Sequence, residues 1–208
     1  RTSGTECPVS LRNWLICQRR ASRRLVRASL SACFCGQTLT ITDSTIATLG
    51  SQSRGIRAKN SDVTIINSTL TTNTIDGAIE VSGGVLKADG LTITSPVAGI
   101  EVYAHEGVYG NATLNNIHFT LTGDKAIQAI FARRGHVTGT NITIDTASEY
   151  FSAIEIGNGT NSTLILNDST INEAYVGIRT LGGHATLNNV DITTTVNDNN
   201  HAHNALEI

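Results

Sequence analysis

The sequence predicts an all-β chain that folds as a parallel β-helix, a solenoid in which each turn hydrogen-bonds to the turns before and after it. Two observations lead to this prediction. Thr is the commonest residue, Gly and Asn are abundant, and aromatic residues make up only 4% of the chain, a balance that favours strands and turns over helices. In addition, a repeat of about 24 residues runs from residue 37 to the last residue.

The pentapeptide ATLNN, which occurs at Ala112 and again at Ala185, gives the length of the repeat. The second copy begins three repeats of about 24 residues after the first. Counted from the second Asn of each copy, an Asn, Asp or Gly recurs once in every repeat. Because these residue types tolerate a positive φ, each is predicted to turn a corner between two strands. The seven predicted corners are Asp43, Asn67, Gly90, Asn116, Asn141, Asp168 and Asn189.

Apolar residues recur at fixed distances from each predicted corner. They stand four and two positions before it and three positions after it, as Leu164, Leu166 and Ile171 do around Asp168. This alternation predicts strands whose inward side chains stack from turn to turn into an aliphatic core. A propeller blade would need a longer repeat, so we expect a single-stranded parallel β-helix of about seven coils. The general rule for parallel crossovers predicts that it is right-handed.

A second strand signal follows each corner after a connection of variable length. Each repeat should therefore hold about three short strands. The variable connection marks one corner that accepts insertions and at which function is expected. The signals are GIRA at Gly55, AIEV at Ala78, GIEV at Gly99, AIQA at Ala126, AIEI at Ala153, GIRT at Gly177 and ALEI at Ala205.

The first 36 positions differ from the rest in charge and composition. They hold seven Arg against Glu6, a net charge of +6, and all four Cys, whereas residues 37–208 carry a net charge of −8. The predicted division is therefore a basic N-terminal segment, 1–36, and a β-helix fragment, 37–208. Two interpretations of the segment stay open: a cap containing an amphipathic helix with Trp14 on its apolar face, or a sequence not native to the domain. A signal-peptide remnant and a nucleic-acid-binding arm are less favoured.

The outward positions of the second strand signal form a candidate ladder of charged residues. Stacked at one coil rise, Glu80 and Glu101 would lie about 5 Å apart, the separation of the two carboxyl groups in retaining glycosidases. The mixture of acids and arginines also fits a solvated face without catalytic role, which we favour. A Glu80→Gln, Glu101→Gln variant is then expected to fold almost normally. The ladder consists of Arg57, Glu80, Glu101, Gln128, Glu155, Arg179 and Glu207.

No other pattern predicts a site. The six His share no position of the repeat, and the pair His201 and His203 lacks a third metal ligand nearby. The stretches VSGGV and TLGGH lack the Lys and the helix of a phosphate loop, so they are predicted to be turns. The sequence therefore predicts no catalytic, cofactor-binding or metal site. Sequons expected by chance begin at Asn67, Asn111, Asn141, Asn158, Asn161 and Asn167.

The repeats TLTITDSTI, ATLNNIHFT, ATLNNVDIT and GIEV, rich in Thr and Asn and free of Cys, resemble the passenger domains of bacterial autotransporters of the pertactin-like class. The resemblance covers residues 37–208. It implies a type V secretion substrate: a β-helical scaffold or adhesin with no catalytic site of its own, at the cell surface, at the outer membrane or secreted. It also implies a C-terminal β-barrel translocator in the full-length chain and a host-surface protein or glycan as ligand. Neither nucleic-acid binding nor membrane insertion of this fragment is implied.

The chain is expected to be a fragment, because it contains no Met and ends inside an alternating apolar pattern. An alternative function is that of a carbohydrate-active β-helix enzyme of the pectate-lyase or polygalacturonase kind. Such an enzyme would need several acidic or basic groups that converge on neighbouring coils. The Asn-Thr-Asp and paired-Asp motifs of polygalacturonases are absent, and the nearest string, residues 73–77, carries an extra residue. The sequence therefore favours the scaffold.

Overall fold

A computed structural model describes the backbone of residues 25–27, 32–48, 54–73, 76–123, 128–146, 152–157, 161–195 and 204–208, with side chains from residue 36 onward. The amphipathic helix predicted around Trp14 lies outside these ranges. Within them, every regular element is a β-strand. No helix in the described ranges is long and apolar enough to cross a membrane.

The strands form two parallel sheets, and the chain alternates between them. The long-strand sheet contains β1 (Leu25–Arg27), β3 (Thr38–Thr42), β4 (Thr45–Thr48), β6 (Asp62–Thr72), β8 (Val85–Ser95), β10 (Gly110–Leu121), β12 (Gly135–Thr146), β14 (Thr163–Ala174) and β16 (His184–Thr194). The short-strand sheet contains β2 (Ala32–Cys35), β5 (Ile56–Lys59), β7 (Gly77–Ser82), β9 (Ala98–Tyr103), β11 (Ile130–Arg133), β13 (Ser152–Gly157), β15 (Val176–Leu181) and β17 (Leu206–Glu207). Each strand pairs with its counterparts in the neighbouring turns. The predicted parallel β-solenoid is confirmed, with about six turns about 24 residues apart.

The predicted corners are confirmed by the backbone. All seven have a positive φ, between 47° and 66°, and we call them the Asn corner. Only Asp43 separates two strands, β3 and β4; from β6 onward the corner lies inside one bent strand of 11 or 12 residues. Strand pairing omits the corner residue and resumes beyond it, as between Asn115 and Thr140 and then Ile117 and Ile142. The three short strands predicted for each repeat are therefore two strands, one of them bent.

The predicted inward positions form the core. Leu114, Phe119 and Ile144 are completely buried, and the same positions in the neighbouring turns are nearly so. The small first residue of the second strand signal also has a packing reason. A Cβ on Gly99 would lie 2.6 Å from Cε1 of Phe119 in the next turn, and only Gly leaves enough room for that ring. Tight stacking of like residues thus explains why the repeat conserves chemical type from turn to turn.

Two strands lie on the N-terminal side of the predicted division at residue 36. Strand β1 pairs in parallel with β4, and β2 pairs in parallel with β5. Both sheets of the solenoid therefore extend into the basic segment. The division into segments 1–36 and 37–208 stays a prediction.

Connections of variable length occur at two corners of each turn, where the sequence predicts one. The variable corner, which joins the long-strand sheet to the short-strand sheet, is the single residue 175 between β14 and β15 and the two residues 96–97 between β8 and β9, and eleven positions separate β16 from β17. The return corner, which joins the short-strand sheet to the next long strand, ranges from the single residue 134 to residues 104–109. Both corners lie where strands end, so an inserted residue breaks no ladder of hydrogen bonds. Functional groups can therefore be placed at either corner.

Candidate functional site

The outward ladder of the short-strand sheet forms largely as predicted. Arg57, Glu80 and Glu101 are direct neighbours on β5, β7 and β9. The predicted signal AIQA is wrong, because the strand of that turn is β11 and Phe131 pairs with both Glu101 and Glu155. Ala126 and Ile127 of AIQA lie outside the described residues. An aromatic ring thus stands where the sequence predicted a glutamine.

Two arginines hold the carboxylates of Glu80 and Glu101, and we call Arg54, Arg57, Asp76, Glu80 and Glu101 the Arg54 cluster. Arg54 Nε lies 2.8 Å from Glu80 Oε2, and Arg57 Nε donates to Glu80 Oε1 at 3.0 Å. Arg54 also contacts Glu101 Oε2 at 3.5 Å and Asp76 Oδ2 at 3.6 Å. Arg54 comes from the variable corner before β5, so residues of three successive turns meet at one guanidinium.

The Arg54 cluster is less exposed to water than the sequence suggests. Glu80 is only 6% exposed, so the expectation of a mixed-charge face is confirmed but that of a solvated face is wrong at this residue. Glu101 lies against Gly77 of the preceding turn, where a Cβ would stand 2.7 Å from its Oε2. The absence of a side chain at residue 77 therefore makes room for the carboxylate.

Burial changes the acidity of the groups around Glu101. Desolvation raises the pKa of the Glu101 carboxyl, although Arg54 and a hydrogen bond from Tyr103 oppose the rise. Burial and the neighbouring Glu101 carboxylate raise the pKa of the Tyr103 hydroxyl, because the phenolate would be both poorly solvated and close to a negative charge. Tyr103 is therefore a neutral hydrogen-bond donor at ordinary pH.

Glu80 and Glu101 of the Arg54 cluster are strand neighbours, as a pair of glycosidase carboxylates would be, but Glu80 is not accessible to a substrate. A nucleophilic carboxylate needs an oxygen that can reach the sugar, and a general acid needs a free proton path. Both oxygens of Glu80 are held by arginines, and its side chain is almost completely buried. The arrangement can order the variable corner before β5 against β7 and β9.

A second ion-pair group lies further along the same ladder. Gln128 Nε2 donates to Glu155 Oε2 at 3.2 Å. Arg179 contacts Glu155 at 3.9 Å and donates to Glu207 Oε2 at 2.9 Å. Phe131 therefore interrupts a ladder of charges whose members on both sides are paired.

The described histidines form no metal site. His118 Nε2 lies 2.7 Å from Asp145 Oδ2, and Asn172 donates to the other oxygen of Asp145 at 2.8 Å. Both contacts lower the pKa of Asp145, and the hydrogen bond from Asn172 contributes most. Among the described residues no group of three His, Cys, Asp or Glu side chains could hold a metal ion. The predicted pair His201 and His203 lies outside these residues.

Asn side chains stack along the Asn corner. Asn141 donates to Asn116, which donates to Asp89, each at 2.7 Å, and Asn189 donates to Asp168 at 2.8 Å. These amides satisfy one another along the solenoid axis, so their role is structural. The Gly-rich stretches at Gly83 and at Gly182 are turns with positive φ, as predicted; of the sequon positions, Asn158 lies outside the described residues.

Aromatic rings are concentrated around the return corners of β9 and β11, where the repeat pattern predicted no site. Tyr103 and Phe131 meet edge to face, with centroids 5.7 Å apart and planes at 79°. Tyr109 stacks on His136, with centroids 5.3 Å apart and planes at 27°. The adjacent Arg133 and Arg134 are exposed. The insertion at residues 104–109 and the shifted register at Phe131 hid this group, because no two of its members share a position of the repeat.

Comparison of the chain with protein-family models, with curated protein sequences and with solved structures found no match. The geometry of the solenoid and its surfaces is therefore the basis for a functional proposal.

Proposed function

We propose that the chain is part of an autotransporter passenger domain, a β-helical scaffold or adhesin that is displayed on a bacterial surface or released from it and that catalyses no reaction. In the full-length protein a C-terminal β-barrel translocator would accompany its export. The ligand would be a host-surface protein or a glycan. The corner connections make the contacts, because they are the parts of the turn that differ from one turn to the next.

One observation supports this proposal above the others: the residues that repeat are those that stack. Inward apolar residues such as Ile144 form the core, and the Asn corner residues bond to one another. The carboxylate of Glu80, the best enzymatic candidate in the sequence, is occupied by Arg54 and Arg57. A solenoid of this kind provides a long rigid surface, and that suits a scaffold.

An export experiment tests the proposal directly. The whole chain would be joined to a signal peptide at one end and to an autotransporter β-barrel at the other, in a Gram-negative host. We expect intact cells to display it as a fragment that resists external protease. An Ile144→Asp variant is the matched control, because a protein that reaches the surface unfolded should be digested. Retention of the wild-type chain inside cells whose β-barrel has inserted normally would contradict the proposal.

A second assay tests the absence of catalysis. The chain would be incubated with polygalacturonate and with neutral plant polysaccharides, and new reducing or unsaturated ends would be measured. We expect no cleavage above the buffer control. Cleavage by the wild-type chain that disappears in a folded Glu80→Gln, Glu101→Gln variant would establish the carbohydrate-active alternative instead.

A further inference from the structure

Arg134 occupies a backbone position that suits other residues better. It forms the entire return corner between β11 and β12 and has a φ of 55°. At the other short return corners the positive-φ residue is Gly or Asn. Those residues are Gly36, Asn60, Gly83 and Gly182. A long side chain in the left-handed region is strained, and such strain is concentrated at functional positions. The turn itself therefore does not explain an arginine.

The charge at this corner is also unlike that of the rest of the solenoid. Residues 37–208 carry a net charge of −8. Arg133 and Arg134 are both exposed, and Arg134 forms no ion pair with any residue that the structure describes. By contrast, the guanidinium groups of Arg54 and Arg179 lie among carboxylates. The exposed guanidinium of Arg134 therefore produces a local positive potential that attracts an anion.

Aromatic residues lie within a few positions of the same corner, in its own turn or in the preceding one, although the chain is only 4% aromatic. Phe131 and Tyr103 lie on the face of the short-strand sheet that leads to Arg134, and Tyr109 and His136 lie just past it. None of these four rings is completely buried. An apolar ring face next to cationic donors is the combination used at sites where few side chains provide most of the binding energy.

The rings past the corner are held in place before any ligand binds. Asn161 Nδ2 donates to the Tyr109 hydroxyl at 3.3 Å, and His136 Nδ1 lies 2.8 Å from Thr163 Oγ1. The loop that contains Tyr109 is closed by two hydrogen bonds between His105 and Val108, at 2.8 and 2.9 Å. Rigid side chains lose little entropy on binding, which favours affinity.

We propose that Arg133, Arg134 and the rings of Tyr109, Phe131 and His136 form a binding site for an acidic saccharide, a sugar that carries a carboxylate or a sulfate. The planar guanidinium forks bind the oxygens of such an anion in pairs. The ring faces contact the apolar face of the sugar. We call these five residues the Arg134 site. The proposal rests on the proposed function, since it names the ligand class that a displayed scaffold of this kind would bind.

Binding to three polysaccharides tests the Arg134 site. The whole chain would be titrated with polygalacturonate, with heparin and with neutral dextran, by calorimetry or biolayer interferometry at several salt concentrations. We expect binding to at least one of the two acidic polymers, weaker at higher salt, and no binding to dextran. Binding to polygalacturonate alone identifies a carboxylate as the recognised group, and binding to heparin alone identifies a sulfate. Binding to both shows that either anion suffices.

Two variants and a control distinguish binding at the Arg134 site from nonspecific electrostatic attraction between the chain and an acidic polymer. Arg134→Asn should weaken binding about tenfold or more, the loss of at least one charge-assisted pair, without lowering the melting temperature, because Asn suits the positive φ. Tyr109→Ala should weaken binding without changing the slope of affinity against salt. Lys87→Gln removes an exposed charge on the long-strand sheet and should change affinity less than twofold.

Several results would overturn the proposal. These are no binding to either acidic polymer, equal binding to dextran, an unchanged affinity in Arg134→Asn, or an equal loss in Lys87→Gln. Tighter binding of single-stranded DNA than of either polysaccharide would overturn it as well, because stacking rings and arginines also suit that ligand. None of these results bears on export, so a failure of the Arg134 site and a failure of the passenger proposal are distinguishable.

Discussion

The Asn corner and the return corner have the same backbone conformation but different freedom to vary. Residues at both corners have a positive φ, between 47° and 88°. The Asn corner holds only Asn, Asp or Gly and never gains a residue, because strand pairing continues on both sides of it. The return corner ends one strand before the next begins, and it holds between one and six residues. The difference teaches that a solenoid varies at corners that interrupt its sheets and is uniform at corners inside them.

The largest loss of stability should follow from placing a charge at an inward position of the strand. The Asn corner determines which positions point inward. Ile144 lies three positions after Asn141 and is completely buried. Ile144→Asp would bury an unpaired carboxylate and remove apolar contacts, so we expect a loss of about 4 kcal/mol or more in the free energy of unfolding. Urea unfolding followed by circular dichroism measures it. Thr138→Asp, on the outward face of the same strand, is the control and should cost less than about 0.5 kcal/mol. Equal effects of the two changes would contradict the assigned inward and outward faces.

Insertions test the comparison of the corners themselves. Two Gly residues inserted after Asn116 would interrupt β10 and shift its pairing with β8 and β12, so we expect a loss of at least about 2 kcal/mol. The same insertion after Gly107, in the return corner, lengthens a loop and should cost less than about 1 kcal/mol. Thermal melting of the two variants gives the ranking. If the insertion at the Asn corner is tolerated as well as that at Gly107, the distinction between the two corners fails.

Single substitutions of positive-φ residues should change stability in opposite directions at the two corners. Asn141 has a φ of 55°, so Asn141→Ala should cost about 1 kcal/mol, because Ala adopts this conformation less readily. Arg134 has the same φ, but Arg134→Asn should stabilise the chain by up to about 1 kcal/mol, since Asn relieves the strain. Both are read from chemical unfolding. A loss of stability in Arg134→Asn would show that the Arg134 side chain supports the fold and would remove the strain argument for the Arg134 site.

The sequence predicts the Asn corner completely but the outward ladder only in part. The number of positions between the outward residue and the corner explains the difference. In three turns the Asn corner residue follows the outward ladder residue by ten positions, as Gly90 follows Glu80. Asn141 likewise follows Phe131 by ten positions. Gln128 is thirteen residues from that corner, which could have exposed the error. However, Glu155 is also thirteen residues from its corner, because of a true insertion. Spacing cannot distinguish a shifted strand from a longer loop, since both leave the inward pattern intact.

Burial of the Arg54 cluster could not be predicted for a different reason. The pattern of the repeat assigns Glu80 to the outer face, and the structure agrees. Its burial comes from Arg54, which lies in a connection of variable length and folds back over the outer face of β7. Contacts of this kind depend on the path of one loop, which no repeating position encodes. The same holds for Tyr109, which the loop 104–109 places on His136.

The smallest predicted effect is a dependence of stability on pH that differs between the two sheets. Burial raises the pKa of Glu101 in the folded chain above its unfolded value, so the folded state holds this proton more tightly. Its contribution to stability is fully present below the unfolded pKa, near 4.5, and is lost as the pH rises through the folded pKa. Glu101→Gln should therefore gain stability relative to the wild type as the pH rises from 4 towards 7.

Asp145, on the outer face of the long-strand sheet, provides a control of opposite sign. Its folded pKa is lowered by Asn172 and His118, so its contribution is present above its unfolded pKa and is lost as the pH falls through the folded one. Asp145→Asn should therefore be least stable relative to the wild type at neutral pH and approach it as the pH falls below about 4. Urea unfolding of the wild type and both variants between pH 3 and 7 measures the two slopes. Slopes of the same sign would contradict the conclusion that burial raises the pKa of Glu101 while hydrogen bonding lowers that of Asp145.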